Sequence, residues 1–98
     1  LEIIKLDSLD ELIEKNPNSN FYYLTTKTKN LYTKCNFKQG DFLIFGPETR
    51  GIPEEILNKN KSTCLTIPMR KETRSLNLSN SVAIVAYEAI RQIDVELN

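Results

Sequence analysis

The 98-residue sequence contains no histidine and only two cysteines, and these absences exclude several kinds of chemistry. Without histidine, a Ser-His-Asp nucleophile has no general base. Cys35 and Cys64 are far apart and form no CxxC pair, so we predict no metal site. Separated, reduced thiols are typical of cytoplasmic proteins, which is the localisation we expect. Cys64 opens an apolar run and is predicted to be a small buried hydrophobe.

Long apolar runs and an excess of charge of one sign are also lacking. No stretch approaches the roughly 20 residues needed to span a bilayer, so we predict no membrane partner. The formal net charge is zero and gives no support for nucleic-acid binding by the chain as a whole. The local balance differs between Thr26 and Lys38, where four lysines occur without an acid. That stretch is either a phosphate-facing patch or a solvated connection.

The length and the order of the predicted elements indicate one domain, residues 1–98, of the α/β class. The run Phe42-Leu43-Ile44-Phe45 is apolar throughout, as in strands covered on both faces of a parallel sheet. We therefore predict a mainly parallel sheet with helices on both faces. The predicted elements are a strand at 3–6, a helix from Ser8 to Asn16, a strand at 21–25, a polar connection, a strand at 42–45, a helix beginning with Pro53, a strand at 65–67 and a helix at 80–97.

The last predicted helix is apolar on more than one face, which a small domain cannot cover alone. We expect it to be buried nearly all round and to form a homodimer contact. The residues expected between the domain and a partner subunit are Val82, Val85, Tyr87, Ala89 and Ile90.

The loop at residues 45–53, FGPETRGIP, follows a strand and precedes a helix, which is where open α/β sheets bind ligands. Gly46 would let a ligand approach the backbone, and Gly51 permits a positive φ. Glu48 can accept hydrogen bonds, and Arg50 can clamp a phosphate or carboxylate. An ordinary turn with exposed charges would show the same spacing. The loop matches neither a Walker A loop nor a dinucleotide fingerprint.

A second polar loop follows the strand at 65–67. Ser79 or Asn80 would cap the last helix in any fold, which leaves Ser75 and Asn77 for a functional role. Serine and asparagine side chains at such a place can position groups by hydrogen bonding.

Four segments together resemble the SPOUT class of RNA 2′-O-ribose methyltransferases, and within it the short single-domain enzymes that modify a cytidine or uridine at the tRNA wobble position. The resemblance extends from about residue 1 to residue 92. Its segments are YLTTK at 23–27, FGPETRGIP at 45–53, IPM at 67–69 and RSLNLSNSVAIVAYEAIRQ at 74–92.

The resemblance implies a deep trefoil knot in the carboxyl-terminal half, S-adenosylmethionine as the cofactor and tRNA as the partner. It implies Ser75 and Asn77 as catalytic residues, and Arg50 and Lys27 as RNA-binding residues. The cofactor-binding residues that it implies are Leu24, Thr25, Gly46, Glu48, Gly51, Ile67, Ser75 and Leu76.

One family hallmark does not occur in this sequence. An amino-terminal segment rich in Asn, Gly and Arg, whose arginine is thought to help activate the ribose hydroxyl, would precede Leu1. We therefore expect residues 1–98 to be the later two-thirds of the domain, with its amino-terminal part missing. Two alternatives remain open: an inactive module that binds S-adenosylmethionine or RNA, and a generic α/β nucleotide-binding domain. The second would need a phosphate loop, which the sequence does not contain.

Overall fold

The computed structural model describes residues 2–4, 9–46, 51–68 and 78–97. The predicted order of elements is confirmed. The strands are β1 (Glu2–Ile4), β2 (Phe21–Leu24), β3 (Phe42–Phe45) and β4 (Cys64–Leu65), and the helices are α1 (Leu9–Lys15), α2 (Glu54–Lys59) and α3 (Leu78–Leu97).

The four strands form a parallel sheet in the order β1-β3-β2-β4, as the continuous apolar run of β3 predicts. Tyr22 lies opposite Leu43, and Tyr23 lies between Ile44 and Cys64. Because side chains alternate along a strand, this register assigns neighbouring residues to opposite faces of the sheet.

Helices cover both faces of the sheet. On the face that we call the α1/α2 face, Leu9 of α1 and Leu57 of α2 belong to a buried cluster with strand residues such as Tyr23 and Ile44. On the opposite face, the α3 face, Val85 and Ala89 of α3 pack with the other strand residues. The α3-face cluster contains Phe37, Leu43, Phe45, Leu65, Val85 and Ala89.

Several predicted boundaries differ from the structure by one or more residues, and three of these differences change what caps a helix or ends a strand. Pro53 precedes α2 instead of beginning it, since its ψ of 142° is extended. Strand β4 ends at Leu65, the last residue that pairs with β2. Thr66 pairs instead with Leu31 in an isolated parallel bridge. Helix α3 begins at Leu78, so Ser79 and Asn80 lie inside its first turn and neither occupies the N-cap position.

The prediction that the last helix is buried nearly all round is also wrong for the single chain. Val85 and Ala89 are 0% exposed, whereas Tyr87 is 78% exposed and Ile90 is 48% exposed. The sheet covers only one side of α3, and no other described segment covers the opposite side. The apolar pattern therefore identifies the apolar residues on more than one face of α3, but it does not show which of these faces the chain itself covers.

The polar connection between β2 and β3 contributes to the core, which its composition does not indicate. The Phe37 side chain is fully buried, and its backbone N–H donates to Gln92 Oε1 of α3 at 2.8 Å. Asp41 is buried, and its carboxylate accepts from Asn20 Nδ2 at 3.2 Å and from the Lys38 N–H at 2.8 Å. These bonds satisfy a carboxylate that burial would otherwise destabilise.

Candidate functional site

The carboxyl ends of β2, β3 and β4 meet at one edge of the sheet. Leu24 lies opposite Phe45 on one side and Leu65 on the other, and the Thr25 N–H donates to the Leu65 carbonyl at 2.9 Å. The residues that follow these strands therefore lie at a common edge, which we call the strand-end site. Four of the residues predicted to bind a cofactor belong to this edge: Leu24, Thr25, Gly46 and Ile67.

Gly46 and Gly51 bring the two ends of the first loop together. A Cβ added to Gly46 would overlap the Gly51 C and Ile52 N atoms and would lie 2.6 Å from the Gly51 carbonyl oxygen. Gly51 has a φ of 70°, which confirms the predicted positive φ. The side of Gly46 that lacks a Cβ is thus filled by the chain itself, which differs from the expectation that a ligand would occupy it.

Leu24 and Ile67 supply an apolar part of the strand-end site. Both side chains are half-buried and pack against the α3-face cluster. Thr25, next to Leu24, is half-buried as well, and its hydroxyl accepts a hydrogen bond from the Lys27 N–H at 3.1 Å. The edge therefore combines partly covered apolar side chains with a turn that is fixed by its own hydrogen bonds.

Asn30 fixes the end of β4 and was not predicted as a site residue. Its carbonyl accepts from the Thr66 N–H at 2.8 Å, and its Nδ2 donates to the Cys64 carbonyl at 3.3 Å. The Tyr32 N–H donates to the Thr66 carbonyl at 3.0 Å. No spacing signal marks Asn30, because it lies in a polar stretch and acts through its backbone and a long-range contact.

A groove next to the strand-end site is lined by Lys27, Lys29 and Lys61, and we call it the lysine groove. It has a volume of about 510 Å³ and includes the predicted RNA-binding Lys27. Lys27 Nζ lies 3.0 Å from Glu54 Oε1, and both side chains are largely exposed. The groove is lined by Thr25, Lys27, Thr28, Lys29, Asn30, Glu54, Leu57, Asn58, Lys61 and Cys64.

Neither thiol has the character of a nucleophile. Burial raises the pKa of Cys64, whose Sγ donates to the Asn60 carbonyl at 3.2 Å. Burial also raises the pKa of Cys35, and of Tyr22, with which Cys35 shares a hydrogen bond. Both thiols are therefore protonated at neutral pH and serve packing, since the thiolate is the reactive form.

The remaining predicted site residues, Glu48, Arg50, Ser75, Leu76 and Asn77, lie outside the described residues. Within the described part of the chain, no group of His, Cys, Asp or Glu could hold a metal ion. No helix in that part is long and apolar enough to cross a membrane.

The fold and the site define a class of protein: a parallel α/β domain whose candidate ligand site lies at the carboxyl ends of three neighbouring strands. Residues 1–87 match the model of the SpoU rRNA Methylase family. The chain therefore belongs to the SpoU rRNA Methylase family.

Individual relatives agree with this assignment. The chain is 48% identical over 89 residues to a Listeria monocytogenes protein that carries the provisional name tRNA (cytidine(34)-2′-O)-methyltransferase, covering 88% of this chain and 53% of that protein. It is 45% identical over 73 residues to the Escherichia coli tRNA (cytidine(34)-2′-O)-methyltransferase, covering 74% of this chain and 46% of that protein. A candidate RNA methyltransferase of known structure from Bacillus anthracis is 42% identical, with a TM-score of 0.81 over 90% of this chain and 57% of that one. The chain thus spans about half the length of the curated relatives it matches.

Proposed function

We propose that the protein carrying this chain is a cytoplasmic S-adenosylmethionine-dependent tRNA methyltransferase that modifies the ribose 2′-oxygen of the wobble nucleotide of the anticodon. The observation that carries the proposal is the meeting of the ends of β2, β3 and β4, with Leu24, Gly46 and Ile67 at one edge. Ligands of open α/β sheets bind at such an edge. The names of the Listeria and Escherichia coli relatives support the choice of substrate and position.

The described residues fit the proposed cofactor. Leu24 and Ile67 offer half-buried apolar surface for a flat ring, beside the backbone of Thr25 and Gly46. The Gly46–Gly51 contact fixes the two ends of the first loop next to each other, so the ordering cost of binding is reduced. In this proposal Glu48, Gly51, Ser75 and Leu76 complete the cofactor site.

When bound, S-adenosylmethionine supplies an electrophilic sulfonium methyl group. The residues of the chain then have to hold the ribose 2′-hydroxyl in line with that methyl group while its proton is removed. We assign this positioning to Ser75 and Asn77. The amide of Asn77 does not titrate near neutral pH and therefore cannot serve as the base.

We also propose the trefoil knot that the family resemblance implies. The support comes from hydrogen bonds on both sides of the end of β4. Leu65 is hydrogen-bonded to Thr25 on the β2 side, and Thr66 is hydrogen-bonded to Asn30 and Tyr32 on the other side. The chain from β2 to residue 32 therefore passes around the end of β4. A segment leaving β4 toward α3 would then pass through that loop.

We propose a homodimer formed through α3. Tyr87 and Ile90 are exposed on the side of the helix that faces away from Val85 and Ala89, and their apolar surface suits a second copy of the chain. Light scattering on the full-length protein at low micromolar concentration should give the dimer mass. Tyr87→Lys combined with Ile90→Lys should give the monomer, and a monomeric wild-type protein would refute this part of the proposal.

The function is tested with the full-length protein, S-adenosylmethionine labelled in its methyl group, and bulk tRNA. We expect label in tRNA and, after nuclease digestion, a 2′-O-methylated wobble nucleotide identified by mass spectrometry. Asn77→Ala should lower turnover roughly a hundredfold through lost alignment, with little change in cofactor affinity. Ser75→Ala should lower both. Cofactor binding without methylation of any tRNA would instead favour the inactive module.

A further inference from the structure

We propose that the lysine groove binds the RNA sugar–phosphate backbone next to the reacting nucleotide, through contacts that do not depend on the base sequence. This inference rests on the proposed function, because the RNA is the substrate of that reaction. It goes further by assigning Lys29 and Lys61, which have no assigned role, to a continuous binding surface with Lys27.

The charge of the groove favours an anion. Of the described residues, three lysines and a single acidic residue, Glu54, line it. Glu54 pairs with Lys27, whereas Lys29 and Lys61 form no ion pair with any residue that the structure describes. The pair between Lys27 and Glu54 is 55% and 73% exposed, so it contributes little and can be exchanged for a stronger phosphate contact.

The other lining residues favour backbone contacts over base contacts. Asn58 offers an amide group. The hydroxyls of Thr25 and Thr28 each accept a backbone N–H and can still donate to an oxygen of the ligand. Side chains of these types hydrogen-bond to phosphate and sugar oxygens. Among the residues that the structure describes, no aromatic side chain lines the groove, and these residues therefore provide no platform on which bases could stack.

The position of the groove connects it to the strand-end site. Thr25 belongs to both, since it follows β2 at the sheet edge and also lines the groove. An RNA strand whose ribose lies at the sheet edge can therefore continue into the groove without a gap. An acidic protein partner would have no need for this continuity.

The experiment measures binding of a tRNA transcript to the full-length protein by fluorescence anisotropy at several salt concentrations. Lys29→Gln combined with Lys61→Gln should weaken binding roughly tenfold at 0.1 M salt and should lower the slope of log affinity against log salt by about one for each lysine that contacts a phosphate. The control variant, Lys34→Gln combined with Lys59→Gln, makes the same change of charge at exposed lysines outside the groove and should bind like the wild type.

Glu54→Gln is the second test, because loss of the carboxylate would not strengthen tRNA binding if Glu54 had a purely structural role. Removal of the carboxylate releases Lys27, so affinity should rise roughly two- to fivefold, with a steeper salt dependence. Calorimetry should give the same S-adenosylmethionine affinity for all these variants and the wild type.

The outcomes separate the two proposals. If the wild type binds and methylates tRNA while the groove variant binds tRNA as tightly as its control, the groove assignment is wrong and the function stands. If the wild type neither binds nor methylates tRNA, the function fails and the groove inference fails with it. If polyglutamate competes for the groove as strongly as an RNA oligonucleotide, the groove is a protein-binding surface and the inference is overturned.

Discussion

The two faces of the sheet are built in different ways. On the α1/α2 face, the aromatic contact joins paired strand residues: Phe21 and Phe42 stack with ring centroids 4.7 Å apart. On the α3 face, Tyr22 instead meets Phe37 from the connection between β2 and β3, with ring centroids 5.4 Å apart. One face is covered by helices that directly connect strands, and the other depends on residues brought together from distant parts of the chain.

This difference shows which contacts the candidate site depends on. Leu24 and Ile67 pack on the α3 face, whose cluster includes Phe37 and Val85. The lysine groove lies beside α2, on the other side. Substitutions that break the long-range contacts of the α3 face should therefore perturb the strand-end site first. Substitutions on the surface of α2 should perturb the lysine groove first.

The largest effect is expected from Phe37→Ala, which would remove a fully buried ring from the α3 face. It should lower the free energy of unfolding by about 3–5 kcal/mol, since a large cavity remains. Urea denaturation of the full-length protein measures the loss. Ile13→Ala, at a position 39% exposed on α1, is the control and should cost less than about 1 kcal/mol. Equal losses at the two positions would show that Phe37 is not a core residue of the α3 face.

Gly46→Ala should follow, because the added Cβ would meet the backbone of Gly51 and Ile52, which cannot move as a flexible side chain can. We expect a loss of about 3 kcal/mol in unfolding free energy. Gly40→Ala is the matched control: its φ of 92° is strained for alanine, but no atom lies within 4 Å of the added Cβ. It should cost about 1–2 kcal/mol. A smaller loss at Gly46 than at Gly40 would contradict the close approach.

Gln92→Leu tests the hydrogen bond that joins α3 to the connection, and it also removes the bond from Gln92 Nε2 to Glu88 Oε2 within α3. The Phe37 N–H would lose its acceptor in a partly buried place, so unfolding free energy should fall by about 1–3 kcal/mol. Arg91→Gln breaks only the Arg91–Glu88 pair, whose arginine side chain is 62% exposed, and should cost less than about 1 kcal/mol. If both variants melt at the same temperature, the bond from Gln92 does not hold α3 in place.

The smallest effect is the dependence of stability on pH. Burial raises the pKa of Cys64 on the α1/α2 face and of Cys35 on the α3 face above the ordinary thiol pKa of 9.0. Above pH 9.0 the folded protein therefore keeps thiol protons that the unfolded chain releases. The free energy of unfolding is highest below that pH and falls as the pH rises further. Urea denaturation between pH 8 and pH 10 should show this fall, and Cys64→Ala should reduce it. A stability that rises over this range would contradict it.

The sequence predicts the local parts of this fold well. The apolar run of β3 and the order of strands and helices correctly indicate a parallel sheet covered on both faces. The positive φ that Gly51 permits and the burial expected of Cys64 in its apolar run are both confirmed. In each case the physical cause lies within a few residues of the position.

The non-local parts could not be predicted in this way. Phe37 lies among polar residues, and only its contact with α3 makes it a core residue. Asn30 acts on β4 from a distant part of the chain, so no spacing rule marks it. For the site, the family resemblance predicts Leu24, Gly46 and Ile67 as cofactor-binding residues, and the fold brings these three to one edge of the sheet. The roles of Ser75 and Asn77 remain predictions.

The bonds at Thr66 also have a kinetic consequence. Strand β4 has two residues, yet Thr66 is hydrogen-bonded through both its N–H and its carbonyl to the chain at Asn30 and Tyr32. Strand β2 and the chain at Asn30 and Tyr32 both precede β4 in the sequence, and β4 and Thr66 form hydrogen bonds to both of them. Pairing between segments so distant in sequence slows folding. Once formed, these hydrogen bonds should also protect the Thr66 amide from hydrogen exchange far longer than the end of so short a strand would suggest.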